Sequence, residues 1–111
     1  MARQSLDIQR IVIDGTEPTY TGAITDGHMI EWKERMFVHI FNDDTASKTI
    51  TIPVPQTISG LSVEDKTVSI PASTDMLIGP FLERQTYRQD DGTVYIDYSA
   101  TTLVTIAALE I

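Results

Sequence analysis

The chain has 111 residues, with 8 basic against 16 acidic side chains, a formal net charge of −8 and no cysteine. That length sets one domain as the expectation, and 41% hydrophobic with 22% charged residues excludes a disordered tail. The scattered, outnumbered basic residues make nucleic acid and anionic membranes poor partners, and the lack of cysteine excludes disulfides, thiolate metal sites and thiol nucleophiles.

With Ile 14, Val 7 and Thr 15, about a third of the chain is β-branched, a composition that favours pleated strands over helices. Short apolar runs recur about every 10 to 14 residues between Gly, Pro, Asn and Asp, the spacing of a sandwich or barrel. The expected fold is all-β, an antiparallel β-sandwich of jelly-roll or Greek-key type spanning 1–111, with one long N-terminal loop or arm at 14–35. The first strand is expected at 7–13. Residues 14–35 then hold Gly15, Pro18, Gly22 and Gly27, with one short helix-like piece at 29–35. A segment of this length inside a compact domain is functional or belongs to an interface. Two readings stay open: a flap over one end of the sandwich, or an arm that orders on a neighbouring subunit.

The run 36–42 is apolar on both faces except for His39 and reads as a central strand covered on both sides. In 48–54, Ile50, Ile52 and Val54 alternate with Thr49, Thr51 and Pro53, so one face is buried. Pro53 and Pro55 remove two backbone donors, which places this strand near an edge or a bulge. Further strands are expected at 57–63, 66–71, 75–81, 84–90, 93–99 and 102–109. Turns fall at 42–47, 64–66 and Asp91-Gly92. A two-residue type I′ hairpin at the last of these would pair Gln89 with Val94, Tyr87 with Ile96 and Gln85 with Tyr98.

Candidate chemistry is sparse. His28 and His39 lack the companion ligands and spacing of a zinc site. His39 reads as a strand histidine, hydrogen-bonded in the core or at a subunit contact, and His28 as a polar loop contact. The acidic stretches Asn42-Asp43-Asp44 and Gln89-Asp90-Asp91-Gly92 could offer oxygens to Ca²⁺, but they lack the EF-hand ligand pattern and have the composition of plain turns. Neither a Gly-x-Ser-x-Gly elbow nor a glycine-rich phosphate loop is present. No catalytic residue, cofactor or metal is therefore expected. Tyr20, Trp32, Tyr87, Tyr95 and Tyr98 read either as core rings or as a carbohydrate platform. Tyr95 reads as packed under the 14–35 flap, at a protein interface or on a sugar.

The C-terminal half carries TVSIPASTDMLIGPF at 67–81, YRQDDGTVYIDYS at 87–99 and LVTIAAL at 103–109. The N-terminal half carries DIQRIVIDGTEPTYTGA at 7–23, DGH at 26–28 and FVHIFN at 37–42. Together these resemble a group of small tailed-bacteriophage proteins encoded beside the major capsid protein. The chain departs from that group at MIEWKERM, 29–36, where a polar turn would precede the aromatic strand. The resemblance implies a virion structural protein made in the host cytoplasm. It further implies a capsid decoration (cement) protein on the capsid exterior, a homotrimer partnered by the major capsid protein, with no nucleic acid or membrane partner. An acidic surface suits the outside of the shell better than its DNA-filled lumen. Contact residues are expected in the arm, at Tyr20, His28, Met29, Ile30 and Trp32, because aromatic and Met side chains are common interface anchors. On this reading Trp32→Ala weakens capsid association and leaves the unfolding midpoint nearly unchanged. The alternatives are a head–tail connector or tail-completion protein, present in few copies, and a carbohydrate-binding module with rings exposed on a sheet face.

Overall fold

A computed structural model describes residues 3–55, 57–62, 64–81, 87–89 and 91–111. The β-branched runs become twelve strands among them. The first six are β1 Gln4–Leu6, β2 Ile8–Arg10, β3 Thr21–Gly22, β4 His28–Glu31, β5 Met36–Asn42 and β6 Lys48–Ile52. The rest are β7 Thr57–Ile58, β8 Leu61–Ser62, β9 Lys66–Ile70, β10 Thr74–Ile78, β11 Thr93–Tyr98 and β12 Val104–Glu110. One sheet has the order β1-β4-β11-β6-β9; the other runs β10-β5-β12-β2, with β3 also pairing β12. Strands β7 and β8 form a separate small hairpin. The fold is an all-β sandwich.

It is not purely antiparallel. β1 pairs parallel to β4, and β2 pairs parallel to β12. The N-terminal segment is divided at Asp7, so β1 joins one sheet and β2 joins the other while running the same way. Parallel partners need long connections, and residues 7–27, with β2 and β3 among them, supply the one between β1 and β4. The segment 14–35 is therefore not irregular throughout, since it contains β3 and β4. The helix-like reading of 29–35 fails because His28 and Ile30 are buried while Met29 and Glu31 are not, a period of two rather than 3.6.

The core follows the same alternation. On β5, Met36, Val38, Ile40 and Asn42 point inward; Phe37, His39 and Phe41 are half-buried on the outer face. They meet Ile50 and Ile52 of β6, Ile70 of β9, Val94 and Ile96 of β11 and Val104 and Ile106 of β12. Thus β5 is central, as its sequence indicated, but its outer face is covered only in part. Tyr20 supplies that cover, its ring 5.2 Å from Phe41 and 5.7 Å from His39.

Several local expectations change. Strand β6 lies between β11 and β9 rather than at an edge, and it stops at Ile52, so the donorless Pro53 falls just outside the ladder. In the strand expected at 57–63, the described residues 57–62 turn at Ser59-Gly60, both with positive φ, and make two short strands instead of one. The chain does turn before β11, with Gln89 N–H donating to the Thr93 carbonyl at 2.7 Å, but not as the expected type I′ hairpin. Of Asp91 and Gly92 only Gly92 has a positive φ, and Val94 pairs with Ile30 rather than Gln89. The longer hairpin expected beyond it does not form: Ile96 pairs with His28 and Tyr98 with Ile50. Gln85 and most of 84–90 lie outside the described residues.

The strands run between two ends. One end, the turn end, carries residues 23–27, 43–47, 71–73 and 99–103. The other, the arm end, carries 11–20, 32–35, 53–55, 57–62, 64–65, 79–81, 87–89, 91–92 and Ile111.

Candidate interaction surface

At the turn end the polar groups satisfy one another. Asn42 is fully buried on β5. Its amide nitrogen lies within donating distance of the carbonyls of Ala46 (2.9 Å), Ile70 (3.1 Å) and Pro71 (3.1 Å), and its side-chain oxygen accepts from Asp44 N–H at 3.2 Å. The buried Lys48 ammonium donates to Asp44 Oδ2 at 2.7 Å. That bond, helped by the Thr45 N–H, holds the Asp44 carboxyl below the usual carboxylate range. The oxygens considered for Ca²⁺ are thus turned onto their own backbone. In the second acidic loop, Asp91 accepts from the Thr93 hydroxyl and N–H and from the Tyr95 hydroxyl, which lowers its pKa. Among the described residues no group of three or more His, Asp or Glu could hold a metal ion.

The arm end is built differently. Ile11 N–H donates to the Glu110 carbonyl and extends the β2–β12 pairing by one residue. The chain then reverses. Thr16 Oγ1 accepts from Val12 N–H and donates to the Arg10 carbonyl, Gly15 N–H donates to the Val12 carbonyl, and the Gln9 amide clamps Thr19 through two bonds of 2.7 and 2.8 Å. This pinned loop presents Ile11, Val12 and Ile13 to solvent, and Ile13 is fully exposed. Nearby, Phe37, Leu77, Ile78, Pro80 and Ile111 line a shallow groove of about 470 Å³ with Glu34 and Arg35 also at its walls. Leu77 is 65% exposed and Ile111 70%. Gly79 forms one wall with φ +135°, and a Cβ there would lie 2.8 Å from Phe37 Cβ, so only glycine fits so close an approach. Among the described residues, the large exposed apolar side chains are Ile11, Val12, Ile13, Leu61, Leu77, Leu103 and Ile111. All but Leu103 belong to the arm end.

The two histidines share one hydrogen-bonding scheme in different settings. His28 is sealed inside, its Nδ1 2.6 Å from the Tyr98 hydroxyl and its Nε2 3.2 Å from Gln4 Oε1. The Gln4 oxygen can only accept, which assigns the proton to Nε2 and leaves Nδ1 to accept from Tyr98. Burial lowers the His28 pKa and raises that of Tyr98, so the pair stays neutral. His39 sits on the outer face, with Nε2 donating to Asp75 Oδ2 at 2.6 Å and Nδ1 2.7 Å from the Tyr20 hydroxyl. The bond from His39 holds Asp75 low, while burial and then the Asp75 charge raise the pKa of Tyr20. An Asp–His–Tyr chain has the connectivity of a nucleophile relay. The grooves described around Phe37 and Leu77, Gln4 and Thr21, Trp32 and Arg88, and Asp7 and Lys33 are lined by none of its three members.

The expected contact residues are therefore dispersed. His28 and Ile30 are fully buried within the chain and have no side-chain surface to offer a partner. Their placement corrects the contact reading: strand alternation directs both into the core. Trp32 packs against the core and its Nε1–H donates to the Phe81 carbonyl at 2.9 Å, which ties it to the fold. Tyr20 and Met29 are half-buried, Tyr20 bonded to His39 and Met29 in register between Ser5 and Tyr95. Tyr95 is half-buried and in register with Met29 of the 14–35 segment. The Arg3 guanidinium lies over its ring at 4.1 Å and bridges to Asp97. The exposed apolar groups at Ile11–Ile13, Leu77 and Ile111 were missed. Their signal was an unbroken β-branched triplet ending at Asp14-Gly15, which a strand with one wet face does not require.

No protein-family model, curated protein or solved structure matches this chain.

Proposed function

We propose that this chain is a virion structural protein of a tailed bacteriophage, a decoration or cement subunit that stabilises the head by docking on the outer capsid surface. The observation that carries the reading is the concentration of exposed apolar side chains at one end of a small, well-packed sandwich. Such a surface is costly to leave in water and marks a protein contact. The net charge of −8 favours the outside of a DNA-filled shell over its lumen. Many copies each making a modest contact would add stability through multivalency. A carbohydrate platform fits less well, because none of the aromatic rings is exposed.

The test is the copy number of this protein in purified virions relative to the major capsid protein. Hundreds of copies are expected. A dozen or fewer would place it at the connector or tail, and absence from particles would overturn the structural role.

A further inference from the structure

The arm end pairs a projection with a hollow on one molecule. The Ile11–Val12–Ile13 tip touches nothing of its own chain at Ile13, and its pinned turn keeps it from folding down onto the sandwich. Three extended residues span about 10 Å, and the groove between Phe37, Leu77 and Ile111 offers about 470 Å³. The rims complement each other in charge. Asp14 directly follows the tip and Arg10 precedes it, while Arg35 and Glu34 flank the groove. None of these four makes an ion pair among the described residues. Tip and groove are also neighbours, since Ile11 bonds to Glu110 and Ile111 N–H donates to the Arg35 carbonyl. A projection and a hollow side by side can be exchanged around a symmetry axis, each copy giving one and receiving one.

We infer that the groove takes the Ile11–Ile13 tip of a second copy of this chain, with Arg35 facing the partner's Asp14 across the rim. The inference rests on reading the arm end as an assembly surface and names the first partner that surface meets. Apolar burial supplies the affinity, and the rim charges fix orientation more than strength. Two substitutions dissect it. Ile13→Asp removes the projection at a fully exposed position, so the fold is unaffected. Leu77→Lys fills the groove with a charge on the edge strand β10, where lysine is well tolerated.

Sedimentation velocity of the purified protein over a concentration series reads the result without any capsid present. The wild type should form a discrete oligomer, and each variant should weaken it roughly ten- to hundred-fold, the effect of losing one buried aliphatic side chain. The decisive arm mixes the two variants. Each is defective alone, but the intact groove of Ile13→Asp should receive the intact tip of Leu77→Lys, so a mixed complex should appear. A monomeric wild type at all concentrations would overturn the inference, as would an Ile13→Asp protein that associates like wild type or a mixture no more associated than its parts. Binding of monomers to capsids would then still stand, so this failure is separable from failure of the virion role.

Discussion

The two ends of the sandwich solve the same problem in opposite ways. At the turn end, loops must reverse the chain, and Asn42, Asp44 and Lys48 meet the backbone and each other so fully that two of the three are buried. At the arm end, the loops leave aliphatic side chains in water and cover a groove wall with nothing. Sequence composition is similar in both, since each has its share of Asp, Gly and Pro. The difference lies in where the hydrogen bonds close. A loop whose side chains bond its own carbonyls has finished folding by itself; a loop pinned only at its base leaves its tip in solvent.

Perturbing the turn end should have the largest effect on stability. Asn42→Ala leaves up to three carbonyls without their donor in a buried site, and chemical denaturation should register a loss of about 3 kcal/mol. If stability barely changes, the turn end is not closed as described. Trp32→Ala should cost about 2 kcal/mol, because a half-buried ring packed on the core and bonded to Phe81 is removed. This replaces the expectation of an unchanged midpoint, and an unchanged midpoint would return Trp32 to the contact surface.

Acid should act through named groups. His28 has a lowered pKa in the folded protein, so the unfolded chain binds more protons below about pH 6.5 and stability falls as pH drops through that range. Asp44 and Asp75 are held low by Lys48 and His39, so their contribution is present above about pH 4 and is lost below it. Denaturation midpoints measured against pH should show the upper loss in the wild type and a flatter curve in His28→Gln. A curve with the same slope in both would contradict the neutral, sealed His28. The smallest stability effect belongs to Ile13→Asp, expected within about 0.5 kcal/mol of wild type. A larger loss would mean that the tip packs on its own chain.

The fold was legible where period two and turn chemistry agreed. Met36–Asn42 was bounded to the residue, and the strands around Ile50, Val68 and Val94 were placed within a few positions. Tertiary partners were not legible. Nothing local in residues 4–10 reveals that one segment divides at Asp7 between two sheets and creates parallel pairs. Residues 28–31 carry a strand pattern only four residues long, too short to outweigh the surrounding glycines. Two of the expected contact residues serve the fold for a related reason: in so small a core Ile30 and Trp32 are needed for packing. Ile11–Ile13 read as the end of a strand because pairing alone decides whether an aliphatic triplet is covered.

Hydroxyl-radical footprinting of side chains, comparing the isolated protein at low concentration with the protein on purified virions, tests the contrast between the ends most directly. Ile13, Leu77 and Ile111 should lose reactivity on the particle, while Leu103 at the turn end, exposed in the free chain, should keep it. Protection of Leu103 with the arm end still reactive would contradict the assignment of the arm end as the assembly surface.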